Sequence, residues 1–362
     1  MKPINTEDVK RVLIRGTNWV GDAVMSIPAM KEIRRIFPSA HISLLARPWV
    51  KDVYAKVDFI DEIIEYDKNA KHRGWSGLGR LTSDLKARRF EIAILLQNAF
   101  EAALIAWLSD IPYRIGYARD ARSLLLTHPV KIDPELRSLH QAHYYLALLY
   151  GASLLGFQSW RRKDYGLSIR IGVPPTADVA AGELLKSHGL EEGVLLIGLN
   201  PGATYGSAKR WYTKRYAEVA DSLAANFGAR ILIFGSAAER PIALAVAQNM
   251  KHAATVLVGE TTLGQLMALL KRCRLLITND SGPMHHAAAL DVPQIAIFGS
   301  TSEIATGPLC ARAIVLKHQV PCNPCFLREC PIDLRCMNGI TVAMVMNAAA
   351  GILGGEGSNA GE

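Results

Sequence analysis

Residues 11–22 read RVLIRGTNWVGD. The apolar triplet Val12-Leu13-Ile14 is a strand, and the amphipathic run from Ala23 to Phe37 is a helix. A strand that feeds a helix through a glycine loop is the opening of a βαβ unit, which puts the chain among parallel α/β folds. Gly16 and Gly21 have the G-x4-G spacing of a phosphate loop, but Asp22 follows where that loop needs Lys, so the Walker motif fails. There is no G-x-G-x-x-G either, and a nicotinamide cofactor is unsupported. Asp22 has two readings. One is a carboxylate settling the start of a helix. The other is a general base, favoured by glycines that let a substrate approach the backbone closely.

The same rhythm continues outward from this stretch. Strands are predicted at His41–Leu45, Phe59–Tyr66, Glu91–Leu96 and around Ile115, with an apolar helix near Glu101–Ser109. Gly172-Val173-Pro174-Pro175 punctuates the chain near its midpoint and reads as a linker. The rhythm then restarts. Strands are expected at Val194–Leu199, Ile231–Phe234, Leu275–Thr278 and Gln294–Phe298, and helices at Tyr216–Phe227 and Pro283–Leu290. Two doubly wound α/β halves are the expected architecture, with ligands at the carboxyl ends of the strands in the cleft between halves. The domains are expected at 1–172 and 173–340. A C-terminal helix over 341–354 should pack back toward the first domain, followed by a flexible tail at 355–362.

Composition agrees. The chain has 362 residues, enough for two domains, with 50% hydrophobic and 20% charged residues, which excludes disorder except at the ends. Its net charge of +8 is unevenly held. Residues 1–170 carry 26 basic and 18 acidic side chains, whereas 171–362 carry 15 of each. A basic first half suits an anionic partner. Nucleic acid is not that partner, because the basic residues form no long run and have no interleaved aromatic pattern. The longest stretch free of Asp, Glu, Lys and Arg, Ser138–Trp160, contains His140, Gln141 and His143 and reads as a buried helix plus loop, not a membrane span. No apolar leader precedes the first strand, so a cytoplasmic location with reduced thiols is expected.

Four further motifs stand at strand ends or in loops. Asn200–Trp211 (NPGATYGSAKRW) combines turns, the hydroxyls of Thr204 and Tyr205, and Lys209, as a diphosphate requires. Thr278–His286 (TNDSGPMHH) ends a strand and starts a helix, with Ser281 as N-cap and Pro283 near its first position. Such a helix start suits phosphate. Asp280 would repel a phosphate; it either accepts from sugar hydroxyls or orders the loop. His285 and His286 are ligand contacts or core histidines. Phe234–Arg240 (FGSAAER) offers Glu239 to ribose or sugar hydroxyls. Finally, Cys322, Cys325, Cys330 and Cys336 fall within fifteen residues, a spacing compatible with a structural metal or iron–sulfur site or with reduced thiols.

In this order, the segments RGTNWVGDAVMSIPA, NPGATYGSAKRW, IFGSAAER and TNDSGPMHHAAAL resemble the ADP-heptose:lipopolysaccharide heptosyltransferases, glycosyltransferase family 9. The heptosyltransferase II subgroup is closest, through Asn18-Trp19-Val20 before Gly21-Asp22 and the PCNPCF segment. The likeness runs from Val12 to about Asn338. It implies a GT-B fold of two Rossmann-like domains, acceptor bound by the first and nucleotide sugar by the second. It implies Asp22 as catalytic base. On the donor side it implies Thr204, Tyr205, Lys209, Glu239, Asp280, Ser281, Gly282 and His285. On the acceptor side it implies Asn18, Trp19, Asn98, Arg114, Arg119 and Arg122.

The implied reaction is inverting transfer of heptose from ADP-heptose to the first heptose of heptosyl-Kdo2-lipid A, at the inner face of the cytoplasmic membrane. No DxD motif is apparent, and no cofactor is expected for catalysis. The alternatives are heptosyltransferase I acting on Kdo-lipid A, a sugar-nucleotide epimerase, and a non-enzymatic metal- or redox-sensing protein built on the cysteines. An epimerase would leave the basic first half unexplained.

Overall fold

The computed structural model describes residues 4–154, 167 and 169–354. It divides into two compact units, 1–169 and 170–362. The boundary falls just before the Gly-Pro-Pro linker, and Pro175 opens the first helix of the second unit.

The first unit runs β1 (Arg11–Arg15), α1 (Val20–Met25), α2 (Ile27–Ile36), β2 (His41–Ala46), β3 (Glu62–Glu65), α3 (Gly74–Ala87), β4 (Ile92–Leu95), α4 (Phe100–Leu108), β5 (Tyr113–Tyr117), β6 (His128–Val130) and α5 (Gln141–Gly151). The single helix expected over 23–37 is two helices. They part at Ser26, whose hydroxyl bonds back to the Ala23 carbonyl, with Pro28 in the first turn of the second. The strand expected at Phe59–Tyr66 is confined to β3. All neighbours in the sheet are parallel, in the order β3-β2-β1-β4-β5-β6.

The second unit repeats the plan. It runs α6 (Pro175–Ser187), β7 (Leu196–Asn200), α7 (Thr213–Phe227), β8 (Arg230–Ile233), α8 (Arg240–Asn249), β9 (Ala254–Val256), α9 (Leu263–Arg272), β10 (Leu275–Asn279), α10 (Gly282–Ala289), β11 (Gln294–Phe298), α11 (Glu303–Thr306), β12 (Ala313–Lys317), α12 (Arg335–Asn338) and α13 (Val342–Gly354). Its order, β12-β11-β10-β7-β8-β9, is the same winding. Successive strand residues point to opposite faces. Ile231 and Ile233 of β8 join one buried cluster, and Leu232 between them joins the other. Both faces are therefore apolar, as a parallel sheet between helix layers requires. Gly228, at φ 65°, ends α7 in the left-handed conformation that favours glycine. In the C-terminal helix, Val345 and Ala349 of α13 lie in the second unit's core. The tail at 355–362 lies outside the described residues.

In each sheet the winding reverses beside the first strand, between β1 and β4 and between β7 and β10. That switch point opens a crevice at the strands' carboxyl ends, where α/β folds bind ligands. The motif loops after β1, β4, β7 and β10 all start there.

Candidate active site

At the first switch point, β1 delivers Gly16–Trp19 and then Asp22 in the first turn of α1. Trp19 is the N-cap and makes no side-chain cap, and Asp22 is the acidic residue of the first turn. Its carboxylate is half-buried and accepts a 2.7 Å hydrogen bond from the hydroxyl of Tyr145 on α5. Tyr145 is fully enclosed. Burial, then the facing Asp22 charge, hold its phenol well above the ordinary range, so it remains a donor.

The loop leading to Asp22 is held from beneath. Arg15 is buried and donates to the carbonyls of Gly16 (2.5 Å) and Leu45 (3.3 Å) and to Asn18 Oδ1 (2.9 Å). Burial, with Arg47 nearby, lowers its guanidinium to about 10, still charged at neutral pH. The Trp49 indole N–H holds the Asn18 carbonyl at 2.8 Å. Trp19 projects outward, 67% exposed.

At the end of β4, the Asn98 amide donates to the Tyr144 hydroxyl at 3.0 Å, and its oxygen accepts from Arg122 at 3.0 Å. The exposed Arg119 also bonds the Tyr144 hydroxyl, and this contact leads in raising its pKa. Tyr144 and Tyr145 are neighbours on α5, with rings 5.7 Å apart. Asp22, Asn98 and Arg119 thus share one tyrosine-lined edge. No local motif marks these tyrosines; their only signal is their place in an otherwise apolar helix.

Two expected acceptor arginines stand differently. Arg122 is wholly buried. Its nitrogens donate to the carbonyls of Tyr117 and Gln97 and to Asn98, and burial lowers it to about 10. It braces the loops after β4 and β5 and offers no open face to an acceptor. Arg114 lies near the amino end of β5, away from the switch point, and its guanidinium is bonded to the carbonyls of Leu125 and Ile111. The segment has the expected basic residues, but only Arg119 presents its charge outward.

The second unit builds its site at the other switch point. Lys209 lies in a short 3-10 turn after β7 and reaches Asp280 Oδ2 at 2.5 Å. Asp280 is buried after β10 and also accepts from Thr301 at 2.6 Å and, more weakly, Thr306. Of the two readings left open for Asp280, the geometry fits loop ordering, since it holds Lys209 in place. An ammonium has three donors. Two point at Asp280, which leaves one for a phosphate oxygen.

Asn200 Nδ2 donates to Ser281 Oγ at 2.7 Å. Asn279 Oδ1 receives the Trp211 N–H and the Tyr216 hydroxyl, both at 3.1 Å, while its amide bonds Pro201 O at 2.8 Å. These two buried asparagines clamp the loops after β7 and β10 and were not singled out in the sequence. Ser281 is the N-cap of α10, Gly282 opens it, and His285 is buried in its next turn. The first N–H groups of this eight-residue helix start at the same edge as Lys209. His286 is a core histidine. Burial lowers it to about 4, and its Nδ1 lies 3.1 Å from Gly282 O.

Glu239 is taken by a capping box, accepting from the N–H and hydroxyl of Ser236, both at 2.8 Å. Thr204 and Tyr205 lie exposed on the β7 loop. Tyr205 donates to Phe326 O at 2.7 Å and lies between two cations, with Lys209 Nζ 5.0 Å and the Arg328 guanidinium 5.3 Å from its ring centre.

The cysteine segment therefore braces the loop after β7. Arg328 O accepts from Ala208 N at 2.9 Å, and a Cβ on Gly206 would stand 2.2 Å from that oxygen. Of the two readings of the cysteines, a metal or iron–sulfur site is unsupported. Among the described residues no group of three or more His, Cys, Asp or Glu side chains could hold a metal ion. Cys322 is exposed, whereas Cys336 is buried in the core beside Met337.

Residues 78–335 match the sequence profile of glycosyltransferase family 9 (heptosyltransferase). A lipopolysaccharide heptosyltransferase 2 from Salmonella typhimurium is 32% identical over 314 residues, covering 85% of this chain and 88% of the relative. The structure of Escherichia coli ADP-heptose lps heptosyltransferase II is similar, with a TM-score of 0.78 and 26% identity over 96% of this chain and all of that one. A family 9 glycosyl transferase from Veillonella parvula has a TM-score of 0.84 and 26% identity, covering 98% of this chain and 99% of its own.

Proposed function

This chain belongs to glycosyltransferase family 9, the heptosyltransferases, and on that premise we propose how its two units divide one transfer reaction. The fold is of GT-B type and the protein is a glycosyltransferase of the heptosyltransferase II kind, which displaces the epimerase and metal- or redox-sensing readings. L-glycero-D-manno-heptose moves from ADP-heptose to the first heptose of heptosyl-Kdo2-lipid A, with inversion. The observation that supports this reading is chemical complementarity: one switch point holds a half-buried carboxylate, and the other holds a cation beside a helix start.

The acceptor hydroxyl attacks the anomeric carbon of the donor heptose. Asp22 takes the hydroxyl proton as the new C–O bond forms. The bond from that carbon to the β-phosphate oxygen breaks, and ADP leaves with the electron pair. A positioned base contributes typically 10²–10⁴-fold, about 3–5 kcal/mol. Tyr145 keeps the carboxylate oriented. The carbon passes through oxocarbenium character, as in glycoside hydrolysis. Lys209 and the first N–H groups of α10 stabilise the charge that grows on the diphosphate, and Asp280 acts as a positioning residue for Lys209.

The excess of positive charge in residues 1–170 suits an acceptor carrying anionic Kdo and phosphate groups. The protein works at the inner face of the cytoplasmic membrane, where cations near an anionic surface contribute about 1 kcal/mol each. No helix among the described residues is long and apolar enough to cross the bilayer.

The test is transfer itself. Purified protein is mixed with ADP-heptose and either Kdo2-lipid A or its monoheptosylated form, and products are followed by mass spectrometry. Addition to the monoheptosylated acceptor alone is expected. Addition to Kdo2-lipid A would move the protein to the heptosyltransferase I reaction.

A further inference from the structure

Helix α4, FEAALIAWL, is apolar nearly all round, with Glu101 its only charge. Such a helix is ordinarily buried on every side. Its inner face, Ala102, Ala103, Ile105 and Ala106, is indeed in the core. Its outer face is not. Phe100, Trp107 and Leu108 are exposed and Leu104 is half-buried, at the i, i+4, i+7, i+8 spacing of one stripe. The 3-10 turn Arg122–Leu125 packs beside α4 and adds Leu124, 94% exposed. Helix α3 also packs on α4 and carries Trp75, 82% exposed, in its first turn. Exposed apolar side chains gathered on packed neighbouring elements in this way mark an interaction site.

We propose that this face, Trp75, Phe100, Trp107, Leu108 and Leu124, is the surface by which the protein seats on an anionic lipid membrane. The inference deepens the proposed function and rests on its glycolipid acceptor. Two observations select lipid as the occupant. The first is charge. Lys71, Arg73 and Arg80 are exposed around Trp75, with Arg80 tied to the Lys71 carbonyl at 2.8 Å. The acids bordering α4, Glu101 and Asp110, are paired with Lys68 and Lys86. Aromatic rings interleaved with cations suit the headgroup layer, where indoles sit at the boundary and cations meet phosphate. A second copy docking by the same face would bring like charges together.

The second is continuity. Phe100 begins α4 two residues after Asn98, and Leu124 lies five residues after Arg119. The loops that carry the polar acceptor-side residues therefore run directly into the apolar face. A glycolipid held by its sugars at the first switch point would find its acyl chains beside these side chains.

The test measures vesicle binding without donor or acceptor. Wild type is co-sedimented with phosphatidylglycerol–phosphatidylethanolamine vesicles and with phosphatidylcholine vesicles, and compared with Trp107→Ser/Leu124→Ser and with Lys71→Glu/Arg80→Glu. Wild type should prefer the anionic vesicles. The first pair should weaken partition about tenfold or more, and the second should remove the anionic preference. Both should keep the wild-type ADP-induced thermal shift and wild-type turnover on a deacylated, water-soluble acceptor. Partition of the first pair equal to wild type would overturn the proposal. So would a wild-type dimer that the same pair converts to monomer, which would assign the face to a second copy. Vesicle binding that follows the pattern in a protein without heptosyl transfer would leave this surface standing and reject the acceptor reading.

Discussion

Asp22 and Tyr145 are 123 residues apart in sequence and joined by a 2.7 Å hydrogen bond in the fold. If Asp22 is the base, Asp22→Asn should lower kcat by 10²–10⁴-fold, because the amide cannot accept the acceptor's proton. ADP affinity, measured by calorimetry, should be unchanged, since the nucleotide is assigned to the second unit. Tyr145→Phe removes the orienting hydrogen bond while leaving the ring packed. It should lower kcat by about tenfold with the donor KM unchanged. Near-normal kcat in Asp22→Asn would remove Asp22 as base.

His286 supplies a pH-dependent term of different origin. Its pKa is lowered to about 4 in the fold, against an ordinary value near 6.5. Between those values the unfolded chain binds the extra proton, so stability is full above about pH 6.5 and falls as the solution is acidified toward 4. The loss approaches about 3 kcal/mol at the lower end. Thermal melts from pH 7 to 4 should show it, and His286→Gln should flatten this part of the curve. An unchanged slope in that variant would exclude His286 as its source.

Among the elements, the loops after β7 and β10 are set by segments distant in sequence. Asn200 and Asn279 tie them to each other, and the cysteine segment lies against the first through Arg328 and Phe326. Gly206→Ala tests that brace. Its Cβ would meet a backbone oxygen at 2.2 Å, so the two loops must separate. Overpacking of this kind costs about 1–3 kcal/mol. ADP affinity should fall roughly tenfold with it, by titration calorimetry. Full ADP affinity would show that the cysteine segment does not support the donor loop. The element pattern itself was largely legible: β11 lies at Gln294–Phe298 as read, and most other strand ends shift by one or two residues. The break between α1 and α2 was missed because Ser26 and Pro28 sit within one continuous apolar pattern.

The whole molecule consists of two units with the same 3-2-1-4-5-6 winding, counted within each unit. ADP should therefore stabilise one unit through its own switch point. Hydrogen exchange with saturating ADP should slow in the loops after β7 and β10, within 200–211 and 279–286. Ligand bound at 100 times its dissociation constant contributes about 2.7 kcal/mol. Equal exchange there with and without ADP would reject the donor assignment of Lys209 and α10.

Sequence by itself determined that there are two parallel α/β halves, since strand and helix periods are local, and that motif loops stand at the strands' carboxyl ends. It also carried the family likeness and named Asp22, Lys209 and the start of α10. Only the tertiary structure decided what those groups touch. Lys209 is held by Asp280, 71 residues away, and Arg122 is enclosed where Arg119 is open. Glu239 is turned to its own helix cap, and the cysteine segment braces the loop after β7. Backbone periodicity is set by neighbouring residues, whereas side-chain partners at a switch point come from strands and helices that only sheet order brings together.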